Sequence, residues 1–336
     1  MNLEEAVTSL KALGIQHAVQ ETGTEGAVLF LPEYGRVFGL WTHWRGDNAF
    51  WTNPEFMRSL QIGAKQTEWI NPGGDRMWLG PETEFFVADP KHASESYRVP
   101  QALDPGSYTV SAQKGLYCME NRGEVWAFRA QMRIGFRMQR QIKTLGAEEF
   151  GSRWGLSYLR QAGYTEQIAL DVHDAPSGVA LWNVVSFPLG GEGRIPMQKY
   201  WARSGLTGVP AGTVHYRDEC AVVDCRAGKT KPLWLDAVEC RDRVAYIRPH
   251  EAEGRSTLVL KEFEKAAPGE YLAESEQRGI LGGVVGVGCA AHHCEVSCRS
   301  QGTKKRLAWK TTTWAFSGRT EEVLAALVRS PAGVVY

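Results

Sequence analysis

The sequence predicts a mainly β protein, a large antiparallel β-sandwich with short terminal helices. Three observations carry that expectation. From Trp126 to Ile142 the even positions carry Trp126, Phe128, Ala130, Met132, Ile134, Phe136, Met138 and Ile142, broken only by Arg140. The odd positions carry Arg129, Gln131, Arg133, Gly135, Arg137, Gln139 and Gln141. Such period-2 alternation marks a sheet with one buried and one wet face. Short apolar runs bounded by Gly and Pro turns recur along the chain. Helical spacing, by contrast, is confined to the two ends.

At the N-terminus Leu3, Ala6, Val7, Leu10 and Leu13 recur at helical spacing, closed by Gly14. Next comes Asn71-Pro72-Gly73-Gly74-Asp75-Arg76-Met77-Trp78-Leu79-Gly80-Pro81-Glu82, which reads as loop, strand, loop. Its two glycines allow a tight turn. The run is expected to bring a carboxylate, a guanidinium and an indole near one another, a combination suited to a sugar's apolar faces and polar rim. A salt-bridged turn with a core Trp is the alternative. The alternating run from Trp126 is far longer than a usual strand of about 5–6 residues, so a bulge is expected, with Gly135 its natural place. Its arginines, Arg129, Arg133 and Arg137, either face solvent or line a site for an anion. Loops are expected near 146–152, 205–212 and 251–255. At the C-terminus Thr320 caps a helix with Glu321 and Glu322 in its first turn, Leu324, Leu327 and Val328 form its stripe, and Pro331 stops it. No internal repeat or linker is evident. Residues 1–20 are read as an N-terminal helix packed on a sandwich domain of residues 21–336.

Composition narrows the function classes. The 336 residues are 43% hydrophobic and 23% charged, and Lys+Arg equals Asp+Glu at 38 each, so no bulk field favours nucleic acid or an anionic membrane. No segment has the apolar length of a membrane span. The start, Met1-Asn2-Leu3-Glu4-Glu5, lacks a cationic apolar leader. With seven cysteines, an odd number, this points to reduced thiols in a cytoplasm. Twelve tryptophans suit stacking sites as well as a core. Oligomeric state is not legible, and no cofactor is expected.

The Asn71–Glu82 run, together with Leu181-Trp182-Asn183-Val184-Val185-Ser186-Phe187-Pro188, Gly190–Pro196 and Gly288–Arg299, resembles a family of uncharacterised bacterial proteins of the galactose-mutarotase-like superfold. Aldose 1-epimerases belong to the same superfold. The likeness runs roughly from Gly26 to Phe316. It implies a supersandwich that binds carbohydrate on a concave sheet. In aldose 1-epimerases the strand resembling Leu181–Pro188 carries an Asn-His pair whose His is the general acid. Here Val184 follows Asn183, a departure, and His173 in Asp171-Val172-His173-Asp174 is a substitute candidate. Glu295 resembles the late-strand acid that serves as base.

Read as a strand, the late segment puts His293, Glu295, Ser297 and Arg299 on one face and His292, Cys294, Val296 and Cys298 on the other. His293 and Glu295 would stand one strand repeat apart, roughly 6–7 Å. The resemblance thus implies an acid–base pair of Glu295 with His293 or His173. Asp75, Arg76, Glu82, Asn183 and Arg194 would hold hydroxyls or a carboxylate, with Trp78 or Trp182 beneath the ring. Zinc on Cys289, His292, Cys294 and Cys298 is the competing reading, weakened because a strand splits these ligands between two faces, so no metal is expected. Gly282–Gly288 lacks the Lys-Ser/Thr of a phosphate loop, and no serine elbow is present.

The expected function is an epimerase-like isomerase acting on an aldose or sugar derivative. A non-catalytic sugar binder or sensor of the same fold is the alternative, and a lyase or hydrolase of glycosides a third. The expected partner is a small sugar or oligosaccharide, with neither nucleic acid nor membrane.

Overall fold

In the computed structural model the described residues are 1–61, 69–113, 115–174, 179–197, 214–217, 220–226, 233–236, 240–250, 254–265, 283–289, 292–302 and 305–328. Strands are numbered in chain order. A front sheet of eight strands runs β1 (Ala18–Thr22), β2 (Gly26–Leu31), β3 (Arg36–Trp41), β4 (Asp75–Gly80), β9 (Val179–Pro188), β17 (His293–Gly302), β16 (Gly283–Cys289) and β13 (Leu233–Asp236). A back sheet of ten runs β11 (Val214–Arg217), β12 (Cys220–Asp224), β10 (Glu192–Pro196), β14 (Arg243–His250), β15 (Arg255–Phe263), β18 (Arg306–Arg319), β8 (Arg160–His173), β7 (Met132–Thr144), β6 (Leu116–Ala127) and β5 (Tyr108–Gln113). Neighbours within each sheet pair antiparallel. The protein is a mainly β sandwich with few and short helices. No helix among the described residues is long and apolar enough to cross a membrane.

The long alternating run folds differently from the single bulged strand expected. It breaks at residues 128–131 into the hairpin of β6 and β7, with Ala127 opposite Met132. Gln131 sits there in left-handed backbone at φ 54°, a conformation the usual turn residues would have announced and glutamine does not. The turn shifts the phase: Val125 and Ala127 are buried before it, Ile134, Phe136 and Met138 after it. Trp126, expected inside, is therefore 41% exposed. Arg129 lies in the turn itself, and Arg137 is paired with Glu120 at 2.8 Å on the outer face.

Both terminal helices form as expected. Helix α1 (Leu3–Ala12) carries a capping box between Asn2 and Glu5, and Gly14 follows it at φ 67°. With α2 (Pro54–Gln61) it covers the outer side of β2 and β3, where Ala6 and Leu10 meet Leu29, Phe38, Trp41 and Phe56. Between them in number and the C-terminal end come α3 (Glu82–Phe85), α4 (Ala93–Ser96) and α5 (Ala147–Trp154). Helix α6 (Thr320–Val328) and α5 cover the back sheet, with Phe150, Trp154, Val323 and Ala326 packed on Leu258, Trp314 and Phe316. The loop expected at 146–152 is instead α5, started by Gly146, whose N–H donates to the Glu149 carboxylate; the stop expected at Pro331 and the loop at 205–212 lie outside the described residues, as does most of 251–255.

The main core lies between the sheets, and at its centre is a polar knot. Asp75 on β4 accepts at Oδ1 from Asn183 Nδ2 (2.6 Å) and Arg140 Nη2 (3.3 Å). Its Oδ2 accepts from Lys261 Nζ (2.7 Å) and Tyr164 OH (2.5 Å). Arg140 also pairs with Glu166 and donates to the Gly35 carbonyl at 2.6 Å. Two carboxylates thus meet two cations, all buried, which is the condition under which charge is tolerated in a core.

Candidate functional site

Strand alternation decides which side chains share a face. Asp75 reaches the back sheet and Asn183 donates to Asp75, so Arg76, Trp78 and Trp182, one residue out of step with these two, point to the outer side of the front sheet. Register carries that face onto β17, where Glu295 lies opposite Ser186 and Arg299 opposite Trp182. His293, Glu295, Ser297 and Arg299 therefore line the outer face, and Cys294, Val296 and Cys298 are buried behind it.

The centre of this face is Glu295. Its Oε1 accepts from Arg76 Nη2 (2.8 Å) and Asn71 Nδ2 (3.3 Å) and lies 3.3 Å from His293 Nε2. No hydrogen bond from a described residue reaches Oε2, and the side chain is 30% exposed. Burial alone would raise the carboxyl, but the Arg76 guanidinium and His293 outweigh it and hold Glu295 well below the usual carboxylate range. It is an anion at neutral pH. Trp51 stacks on His293 with ring centroids 4.1 Å apart and planes 15° from parallel.

Loops hold these groups in place. Gly73 and Gly74 take φ +91° and +73°, and a Cβ on Gly73 would lie 2.2 Å from the Trp51 carbonyl oxygen. The double glycine lets the Trp51 strap lie against the start of β4, sealed by Gly74 N–H to Trp51 O (2.9 Å) and Trp51 N–H to Ser186 O (2.9 Å). Arg36 pairs with Asp104 and donates to the Gly73 carbonyl at 2.7 Å, and Asp104 accepts from Trp78 Nε1 at 3.2 Å.

A second ion pair continues the face, with Arg299 Nη2 3.5 Å from Glu82 Oε2 and Tyr97 OH donating to Glu82 Oε1 at 3.4 Å. The two indoles expected beneath a sugar ring are closed to one. Arg76 covers Trp78 at 4.2 Å, Arg299 covers Trp182 at 4.5 Å, and both indoles are buried.

Of the residues named from sequence, Arg76, Trp78, Glu82, Trp182, His293 and Glu295 share this face. Four do not. Asp75 and Asn183 belong to the knot between the sheets, because strand periodicity turns Asp75 away from Arg76. Arg194 is bound to Glu192 on the outer side of the back sheet, since Gly193 beside it is the residue that meets Val287 of the front sheet. His173 is exposed at the end of β8, opposite Gly135 in the back sheet, whereas β17 belongs to the front sheet. The separation expected between His293 and Glu295 also contracts: their side-chain tips converge instead of standing a strand repeat apart. Sequence reading passed over Trp51 and Tyr97, and gave Asn71 no role. The only local signal for Trp51 was an aromatic ahead of the Asn53-Pro54 turn.

The back sheet carries a shallow groove of its own, about 350 Å³, lined by Gln139, Gln141, Gln167, Arg306, Trp309 and Lys310.

A family model described as a family of unknown function (DUF6786) matches residues 2–168, just under half of the chain. The match takes in Trp51, Asn71 and Arg76 but stops short of Glu295. Among curated proteins nothing matches. Solved structures give remote likenesses. A GH36 α-galactosidase from Geobacillus stearothermophilus in complex with 1-deoxygalactonojirimycin has a TM-score of 0.43 at 8% identity, covering 90% of this chain and 41% of that one. An α-galactosidase from Lactobacillus brevis has a TM-score of 0.41 at 6% identity, covering 94% and 41%. The Geobacillus enzyme in complex with raffinose gives 0.36 at 10% identity, covering 90% and 41%. This chain spans about two fifths of the length of each.

Proposed function

We propose that the outer face of the front sheet binds a carbohydrate, with Glu295 as its central polar contact. The observation that carries this reading is the asymmetry of the Glu295 carboxylate. Asn71, Arg76 and His293 all gather on Oε1, leaving Oε2 to accept a ligand hydroxyl. Trp51, partly exposed beside it, supplies an apolar surface of the kind a sugar face packs on. His293 Nδ1 and Arg76 Nε, both buried, lack hydrogen-bond partners among the described residues, a debt that buried polar groups rarely carry without a ligand or ordered water.

On this reading the chemistry is epimerase-like. Glu295 would take a proton from the anomeric hydroxyl, and His293, hydrogen-bonded to it, would carry that proton toward the ring oxygen. The second reading, a sugar binder without turnover, is favoured by a specific observation. A carboxylate held so far below its ordinary range is a weak base, and Glu295 and His293 stand together on one side of the face.

Proton NMR exchange spectroscopy on a panel of aldoses and uronic acids separates the two. Accelerated anomeric exchange that drops about 10²–10⁴-fold in Glu295→Gln supports catalysis. Saturable line broadening without exchange supports the binder. Neither effect with any sugar, from a protein shown to be folded, overturns both.

A further inference from the structure

Three sulfurs converge behind the candidate site, and nothing in the carbohydrate reading uses them. Cys289 ends β16, and Cys294 is its antiparallel partner on β17. Cys225, one residue beyond β12, reaches them from the back sheet and forms a disulfide with Cys289. Cys294 Sγ lies 3.3 Å from Cys225 Sγ, and all three sulfurs fall within 4.8 Å of one another. All three residues are buried, at 0%, 6% and 0% exposure for Cys225, Cys289 and Cys294. The backbone of Cys225 is anchored to the β9–β10 turn through Cys225 N–H to Gly191 O at 3.0 Å and Gly190 N–H to Cys225 O at 3.4 Å.

This set differs from the one weighed on sequence. His292 is exposed, and Cys298 is not part of the group. Cys225, more than sixty residues away in the chain, takes their place.

We propose that the reduced chain binds one thiophilic monovalent cation of the Cu(I) kind through the sulfurs of Cys225, Cys289 and Cys294. The donor set is all sulfur, and soft thiolates select soft cations over oxygen-seeking ones. Zinc asks for four donors, and among the described residues no fourth His, Cys, Asp or Glu joins the group. Burial of all three residues suits a cation satisfied by three sulfurs. Binding a soft cation displaces the thiol protons to solvent, one for each thiolate formed.

The disulfide and the cation exclude each other. Opening the Cys225–Cys289 bond takes two electrons and two protons. In the test these come from a phosphine reductant and water, and the reductant leaves as phosphine oxide. The two thiols so formed then join that of Cys294.

The experiment is an anaerobic titration of the phosphine-reduced chain with Cu(I) against a chromophoric Cu(I) chelator. One equivalent per chain is expected to resist the chelator, and none when the disulfide is left intact. Cys225→Ser, Cys289→Ser and Cys294→Ser should each weaken retention at least about tenfold, while Cys118→Ser on β6 should not. No retained equivalent, or retention unchanged in all three variants, overturns the proposal. Should the variants fail to fold, X-ray absorption on the loaded wild-type chain decides. A first shell of sulfur alone supports the site, and a nitrogen or oxygen shell sinks it.

Discussion

The chemistry of the front face turns on one carboxylate and one guanidinium. Glu295 is drawn down from its usual range against a burial effect that would raise it, and Arg76 at 2.8 Å is the main cause. Arg76→Met keeps most of the aliphatic packing on Trp78 and removes the charge. The Glu295 carboxyl should then titrate at clearly higher pH, read by carbon NMR of the labelled carboxylate. An unchanged midpoint would show that His293 and Asn71 suffice. Sugar affinity, on the proposed reading, should fall about tenfold with the lost hydrogen-bonded charge, which corresponds to about 1.4 kcal/mol. Trp51→Ala tests the other half of the arrangement. Its loss should weaken binding by a similar factor, since stacking on a sugar-sized ring contributes about 1 kcal/mol, and calorimetric titration would show no change if the indole is only a cover for His293.

Elements, rather than single residues, decide which side chains meet. The Trp51 strap lies where it does because Gly73 offers no Cβ and accepts φ +91°. Gly73→Ala combines backbone strain with a clash at 2.2 Å, whereas Gly115→Ala, at φ +78° with nothing within 4 Å, brings strain alone. Strain of this kind costs about 1–3 kcal/mol, so both variants should melt lower and Gly73→Ala distinctly lower still. Equal losses would show that the strap yields freely. The same scale explains what could be read beforehand. The faces of β17 were legible because period-2 alternation is local, and the terminal helices because caps and stripes are local too. The break at 128–131 was not, since Gln131 takes the left-handed turn position without any Gly, Pro or Asn to mark it. Trp51 goes unmarked in the sequence and Asn71 carries no role there because loops deliver them, and a loop's approach depends on a partner strand that sequence spacing does not reveal. Asp75 was placed beside Arg76 from adjacency in the chain, although adjacent residues in a strand face opposite ways.

Across the whole molecule the two sheets are joined by charge as well as by apolar packing. Asp75 reaches Arg140 across 65 residues of sequence and Lys261 across 186, so no local pattern could have announced the knot. Arg140 looked like a flaw in an alternating strand and is instead fully buried at the sheet interface. Burial acts to raise the pKa of Asp75, but Lys261 and Arg140 together outweigh it, so the folded value lies below the ordinary one. The linkage follows from that sign. A carboxyl bound more tightly as an anion in the folded state stabilises the fold above its unfolded pKa of about 3.9, and the contribution drains away as pH falls through the folded value. Asp75→Asn keeps the shape and removes the charge, leaving Glu166 as the remaining carboxylate among the described residues of the knot to balance Lys261 and Arg140. Breaking a buried pair in this way costs about 3–5 kcal/mol, so urea unfolding at pH 7 should show a midpoint well below that of the wild-type chain. The gap between the two should be constant from pH 7 to about pH 5 and shrink below pH 4, because the wild-type chain then loses by protonation what the variant already lacks. Other acids drawn below their usual range, Glu295 among them, are common to both proteins and cancel in the difference. A gap that stays constant into acid would mean that Asp75 keeps its ordinary pKa in the folded chain, and that its hydrogen bonds to Asn183 and Tyr164, rather than its charge, hold the sheets together.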